Sequence, residues 1–277
     1  MKYFLLIRRP WLLMPGILLF VSCSAGKYAA SSKIYKSKAK NFAGIIREVP
    51  PPDQRIVTLP ADQQDWVASV NFGIRRPNFV ILHHTAQNSS AQTLNTFTIE
   101  RTEVSAHYVI GRDGKVFQMV NDYLRAQHAG LGKWGNDTDL NSSSIGIEID
   151  NNGDEPYPDV QIRSLMEVLA AIKKRYNIPT ANFIGHADIA PTRKPDPNKF
   201  PWKTLAKKGF GYWYDEVLLM PPPDFDTTAA LRIIGYDVRN LSAAIIAFKR
   251  HFVQSDITPE LTPADKLILF NLYKKYM

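Results

Sequence analysis

The stretch Ile184–Trp202, IGHADIAPTRKPDPNKFPW, carries His186, Asp188, Lys194 and Asp196 together with Pro191, Pro195, Pro197 and Pro201. Proline fixes φ and lacks an N–H, so it breaks helix interiors and central strands alike, and the spacing predicts a stiff, extended loop rather than a helix. Such a loop suits side chains that must reach a ligand in fixed positions. Imidazole and carboxylate are the donors of hydrolytic zinc sites, which use three protein ligands and keep a fourth position open. His83 and His84 close the apolar run FVILHHT, and His83, His186 and Asp196 would complete such a set. A histidine alone at a strand end is more often a hydrogen-bonded structural residue than a ligand, and it is the set, together with Glu148, that points to a metal. In SSSIGIEID, Ile145, Ile147 and Ile149 alternate with Gly146 and Glu148, so on a strand Glu148 points away from the isoleucines. A carboxylate there is either an exposed strand residue or a general base able to take a proton from water.

These side chains need elements to hold them. FVILHHT reads as a short buried strand, and SAQTLNTFTIE as a helix with a serine start. HYVIGRDGKVFQMV is two strand-like runs turning around Arg112, Asp113 and Gly114, a hairpin signal. DVQIRSLMEVLAAIKKRYNI places Ile162, Leu165, Met166, Leu169 and Ile172 at helical spacing, and NFIGH is a last short strand before the proline-rich loop. After LLMPPPDFD, the runs TTAALRIIGYD, LSAAIIAFKRHFV and TPADKLILFNLYKKYM read as three amphipathic helices, the last starting at Thr262 and Pro263. The class is α/β: a mixed central β-sheet flanked by helices, followed by a small C-terminal three-helix domain.

The 277 residues are 45% apolar and 22% charged, a globular balance, with a net charge of +8. With no zinc-finger spacing, RNP-type motif or basic helix, the excess charge does not point to nucleic acid. Much of it is local, in Lys27, Lys33, Lys36, Lys38, Lys40 and Arg47, within a polar stretch without apolar periodicity that reads as a solvated tether. Cys23 is the single cysteine, which excludes an intrachain disulfide. Lys2, Arg8 and Arg9 precede the apolar run WLLMPGILLFVSCS, the pattern of a cleaved export signal. That run is too short, and too broken by Pro15 and Gly16, to span a membrane as a helix.

FVSC resembles a bacterial lipobox, in which the cysteine becomes the lipidated first residue, although Phe20 stands where leucine is usual. In order along the chain, VILHHTA, SAHYVIGRDGKV, QHAGLGKW, SIGIEI and GHADIAPTRKPDP resemble the motifs of type 2 N-acetylmuramoyl-L-alanine amidases. These zinc enzymes are related to phage lysozyme-type amidases and to peptidoglycan recognition proteins. The resemblance covers roughly residues 76–205 and implies a mixed sheet with a zinc-containing groove. It implies His83, His186 and Asp196 as zinc ligands, Glu148 as the catalytic base and Lys194 as the cation stabilising the transition state. Periodicity leaves His83 and His84 as equal candidates for the ligand; the resemblance chooses His83. Recognition-protein relatives often carry cysteine in place of Asp196, and phage relatives carry a tyrosine in place of Ala106. Asp188 is expected to brace the loop as a hydrogen-bond acceptor. Trp134, after HAGLGK, is a candidate wall of the groove against a sugar or stem peptide, or an ordinary packed aromatic. The C-terminal helices resemble a peptidoglycan-binding domain through AFKRHF, without its glycine-rich turn.

The resulting expectation is a signal peptide over 1–22, a tether over 23–55, a zinc amidase domain over 56–220 and a peptidoglycan-binding-like domain over 221–277. The expected partners are peptidoglycan or muropeptides and, through a lipid on Cys23, a membrane, with the chain a monomer on the periplasmic face of the outer membrane. A non-catalytic peptidoglycan receptor is the alternative; it would be expected to lack a ligand or the glutamate, and all are present. Cys23→Ala is expected to move the protein from washed membranes to the soluble fraction with its activity intact. Retention of the variant in the membrane pellet would argue against lipidation.

Overall fold

The computed structural model describes residues 26–47 and 74–277. The chain divides into two compact units, 1–66 and 67–277. Cys23 and the apolar run before it lie outside the described residues, as does the proline segment at 50–52. Within the first unit, helix α1 (Ala29–Arg47) buries none of its residues. The stretch read as an aperiodic tether is therefore helical, and alanine and lysine propensity, not a packed apolar face, accounts for it. Among the described residues, no helix is long and apolar enough to cross a membrane.

In the second unit, β-branched and aromatic runs flanked by turn residues form β1 (Phe79–His84), β2 (Tyr108–Ile110), β3 (Val116–Gln118), β4 (Ser144–Ile149) and β5 (Phe183–Gly185). They make one sheet in the order β3-β2-β4-β1-β5. β2 and β3 form the antiparallel hairpin expected around Gly114, and the other pairings are parallel, so the sheet is mixed. The helices are α2 (Ser90–Phe97), α3 (Leu140–Ser143), α4 (Asp159–Tyr176), α5 (His186–Ile189), α6 (Trp202–Ala206), α7 (Thr227–Ile234), α8 (Leu241–Phe252) and α9 (Pro263–Tyr276). The one-turn α5 departs from the all-extended loop that the prolines suggest: they begin only at Pro191, leaving His186–Ile189 free to coil. At α9, Thr262 caps the first turn by accepting from the Asp265 N–H, with Pro263 at the first helical position.

The period of two along the strands sorts the core into two layers. Val80, Leu82, Ile145, Ile147 and Ile149 pack against Ile162, Leu165, Leu169 and Ile172 of α4. Ile81 and Ile184 belong to a second cluster with Ile189, Leu231, Phe248 and Leu269. The change of composition near residue 220 is thus crossed by shared packing, since α7, α8 and α9 bury their apolar faces in the same cluster as residues of β1 and β5.

Phe248 is fully buried there. Phe248→Ala is expected to cost about 3–5 kcal/mol in chemical denaturation and to shift a single transition common to the sheet and the C-terminal helices. Separate transitions by tryptophan fluorescence and far-UV circular dichroism would show that the helices fold independently.

Candidate active site

The register of β1 against β4 pairs His83 with Glu148 and His84 with Ile149. His83 and Glu148 therefore lie on the sheet face opposite the isoleucines, while His84 lies on the isoleucine side. The C-terminal end of β5 runs directly into α5, which delivers His186. Asp196 is held from behind, its carbonyl oxygen accepting the N–H of Ala187 at 2.6 Å.

Three buried donors converge there. His83 Nδ1 and His186 Nδ1 are 2.9 Å apart. Asp196 Oδ2 lies 3.0 Å from His186 Nδ1 and 3.3 Å from His83 Nδ1. Ligand atoms bound at about 2.0 Å around a tetrahedral ion are about 3.3 Å apart, so this triangle matches a metal's spacing. Among the described residues it is the one cluster of three such groups that could hold a metal ion. The outward nitrogens are engaged elsewhere, His186 Nε2 with the carbonyl of Ala129 at 3.1 Å and His83 Nε2 with Nδ1 of His128 at 3.1 Å.

Charge at the site follows from burial. Desolvation, reinforced by the neighbouring His186, pushes the His83 imidazole down to about 4, so it is neutral at ordinary pH, as a metal ligand must be. Glu148 behaves in the opposite way. Burial, then the charge of Asp196, raises it to about 8, with Lys194 opposing. Its Oε2 is buried without a hydrogen-bond partner. Lys194 is thus near enough for its charge to act on both Glu148 and His83.

The expected site residues do not all assemble. His84 points into the other layer, where its Nδ1 accepts the N–H of Asn198 at 3.1 Å. Trp134 is not a groove wall: it is buried, edge-on to Tyr236 at 5.0 Å and pressed against Gly235. Asp188 braces the loop as expected, Oδ2 accepting the Gly185 N–H at 2.7 Å. It also accepts from Tyr236 Oη at 2.8 Å and His251 Nδ1 at 2.7 Å, tying α5 to the C-terminal segment. Sequence reasoning left His128 without a role, although its ring lies against Gly146, where a Cβ would overlap the imidazole. A glycine in a strand pattern signals such close approach, and that was the available clue.

A family model for N-acetylmuramoyl-L-alanine amidases matches residues 73–199. The N-acetylmuramoyl-L-alanine amidase AmiD of Escherichia coli (strain K12) is 32% identical over 257 residues, spanning 81% of this chain and 92% of the relative. The chain belongs to the N-acetylmuramoyl-L-alanine amidase family. AmiD, solved with anhydro-N-acetylmuramic acid-L-Ala-D-gamma-Glu-L-Lys, superposes with a TM-score of 0.66 at 29% identity, over 77% of this chain and 96% of that one. AmpDh3 from Pseudomonas aeruginosa superposes with a TM-score of 0.67 at 31% identity, over 79% of this chain and 99% of the other. The amidase match contains all five clustered residues, and the two structural likenesses extend beyond it.

In an amidase with this geometry, the two adjacent histidines separate cleanly. His83→Ala is expected to purify nearly free of metal, whereas His84→Ala should keep its metal. Elemental mass spectrometry on both variants checks this, and the reverse pattern would place the centre on the wrong face of β1.

Proposed function

We propose that this chain hydrolyses the amide between N-acetylmuramic acid and L-alanine in peptidoglycan or muropeptides, using zinc held by His83, His186 and Asp196. The observation that carries the reading is the meeting, on one sheet face, of a buried two-histidine, one-carboxylate triangle with a glutamate whose Oε2 has no partner. The donor set fits zinc, which accepts imidazole nitrogen and carboxylate oxygen in a tetrahedral arrangement with one position open. When bound, zinc supplies Lewis acidity and makes water a better nucleophile.

The chain's own residues do the rest. Glu148 Oε2 takes a proton from the attacking water and returns it to the departing amine of L-alanine, the work of a general base that then acts as an acid. An elevated proton affinity suits both halves of that cycle. Lys194 contributes positive charge as the scissile carbonyl oxygen becomes anionic, an effect worth about 3 kcal/mol in comparable sites. The peptidoglycan fragment in the AmiD structure supports a muropeptide substrate. The signal-like N-terminus ending at Cys23 supports a lipid-anchored enzyme of the bacterial envelope, and the intact glutamate and ligand set weigh against a non-catalytic receptor.

Glu148→Gln is expected to retain zinc and lower kcat by about 100- to 10,000-fold on defined muropeptides, with products identified by mass spectrometry. Near-normal turnover would remove Glu148 from the mechanism. The same variant has a stability signature in the metal-free protein. Because folding raises Glu148 from 4.5 to about 8, the wild type holds a stability advantage from its proton below pH 4.5 and loses it as pH rises through about 8. The melting temperature of Glu148→Gln should therefore gain on the wild type across that window.

A further inference from the structure

We propose that His128 and the carbonyl of Ala129 together set the tautomers of both histidine ligands, making this dipeptide the positioning element of the metal centre. The proposal rests on the reading of His83, His186 and Asp196 as that centre. A neutral imidazole carries one N–H and one lone pair, and the partner of one nitrogen decides which bears the proton. For both rings to offer Nδ1 to a metal, both must carry hydrogen on Nε2.

For His186 the partner is unambiguous. Its Nε2 lies 3.1 Å from the Ala129 carbonyl oxygen, which only accepts, so Nε2 is protonated and Nδ1 is bare toward Asp196. For His83 the partner is another imidazole, and the assignment is passed along a chain. The single hydroxyl hydrogen of Ser144 is donated to the carbonyl of Leu140. The Ser144 oxygen therefore faces His128 Nε2, at 3.3 Å, as an acceptor, so His128 carries its proton on Nε2. His128 Nδ1 is then a lone pair, 3.1 Å from His83 Nε2, and receives its N–H. That leaves His83 Nδ1 bare. The direction of every bond is fixed by a backbone carbonyl that cannot reverse.

The dipeptide is built to hold still. The N–H groups of His128 and Ala129 both donate to Asn141 Oδ1 at 2.9 Å. Arg193 donates to the second lone pair of the Ala129 carbonyl at 3.2 Å. The His128 ring is buried and occupies the space that the missing side chain of Gly146 leaves on β4.

The test measures zinc affinity of the full chain by competition with a chromophoric chelator. His128→Ala is expected to weaken zinc binding about 10- to 100-fold, the usual loss when a ligand's outer partner is removed. His128→Asn places an acceptor oxygen where Nδ1 stood and is expected to recover much of that loss, which a filler of space alone would not do. Gly146→Ala, which displaces the ring without altering it, should resemble His128→Ala. If His128→Ala does not fold, Ser144→Ala carries the test, since it frees His128 to reverse its tautomer and should weaken binding several-fold. Wild-type affinity in His128→Ala or Ser144→Ala, or an Asn variant no tighter than the Ala variant, overturns the proposal. His83→Ala is the control. If it too binds zinc normally, the centre itself is misplaced, whereas loss of zinc in His83→Ala alone condemns only the role of His128.

Discussion

Two imidazole nitrogens and a carboxylate oxygen lie 2.9–3.3 Å apart in a buried site, and the rest of the unit is arranged around keeping them there. Bare donors at that distance repel or compete for protons, and burial removes the water that would screen them. The arrangement persists only if each donor is anchored from behind. The anchors come from separate places in the chain: a parallel strand for His83, a one-turn helix for His186, and a backbone hydrogen bond from that helix for Asp196.

The parallel sheet does the first part of this. Pairing β1 between β4 and β5 brings His83, Glu148 and the start of α5 to the same C-terminal edge of the strands. Side chains leave a sheet into a cleft at that edge, which is where open α/β sheets place their ligands. The pleat then assigns faces. Because the isoleucines of β4 must pack on α4, Glu148 is turned to the other side, beside His83.

The second layer closes the site from the C-terminal side. Asp188 sits two residues after His186 and is buried, so its charge needs partners. It finds them in the N–H of Gly185, the hydroxyl of Tyr236 and the imidazole of His251, which is stacked on Trp202 at 3.9 Å. A buried carboxylate satisfied by three donors from two parts of the chain fixes the angle of α5, and with it the direction of His186. Lys249, two residues before His251 on α8, is itself fully buried and satisfied separately by Asp256, Thr258 and the carbonyl of Glu260.

Much of this was legible in the sequence, for local reasons. Period-two alternation marked β4 and the face of Glu148, and period 3.6 marked α4. Proline and glycine placed the hairpin and the loop carrying Lys194 and Asp196, and Thr262 with Pro263 marked the start of α9. Motif order singled out His83, His186 and Asp196, which the fold brings together. What the sequence left open depended on contacts between residues far apart in the chain. His83 and His84 have equal claims by periodicity; the family resemblance favours His83, and the register with β4 and the arrival of α5 supply the physical reason that separates them. Trp134 looks the same from sequence whether it lines a groove or packs on Tyr236. His128 gains its place from a glycine on a strand eighteen residues later, and Asp188 from a histidine sixty-three residues away. Local chemistry is written in neighbours along the chain, but a donor's partner is decided by whatever the fold brings within about 3 Å.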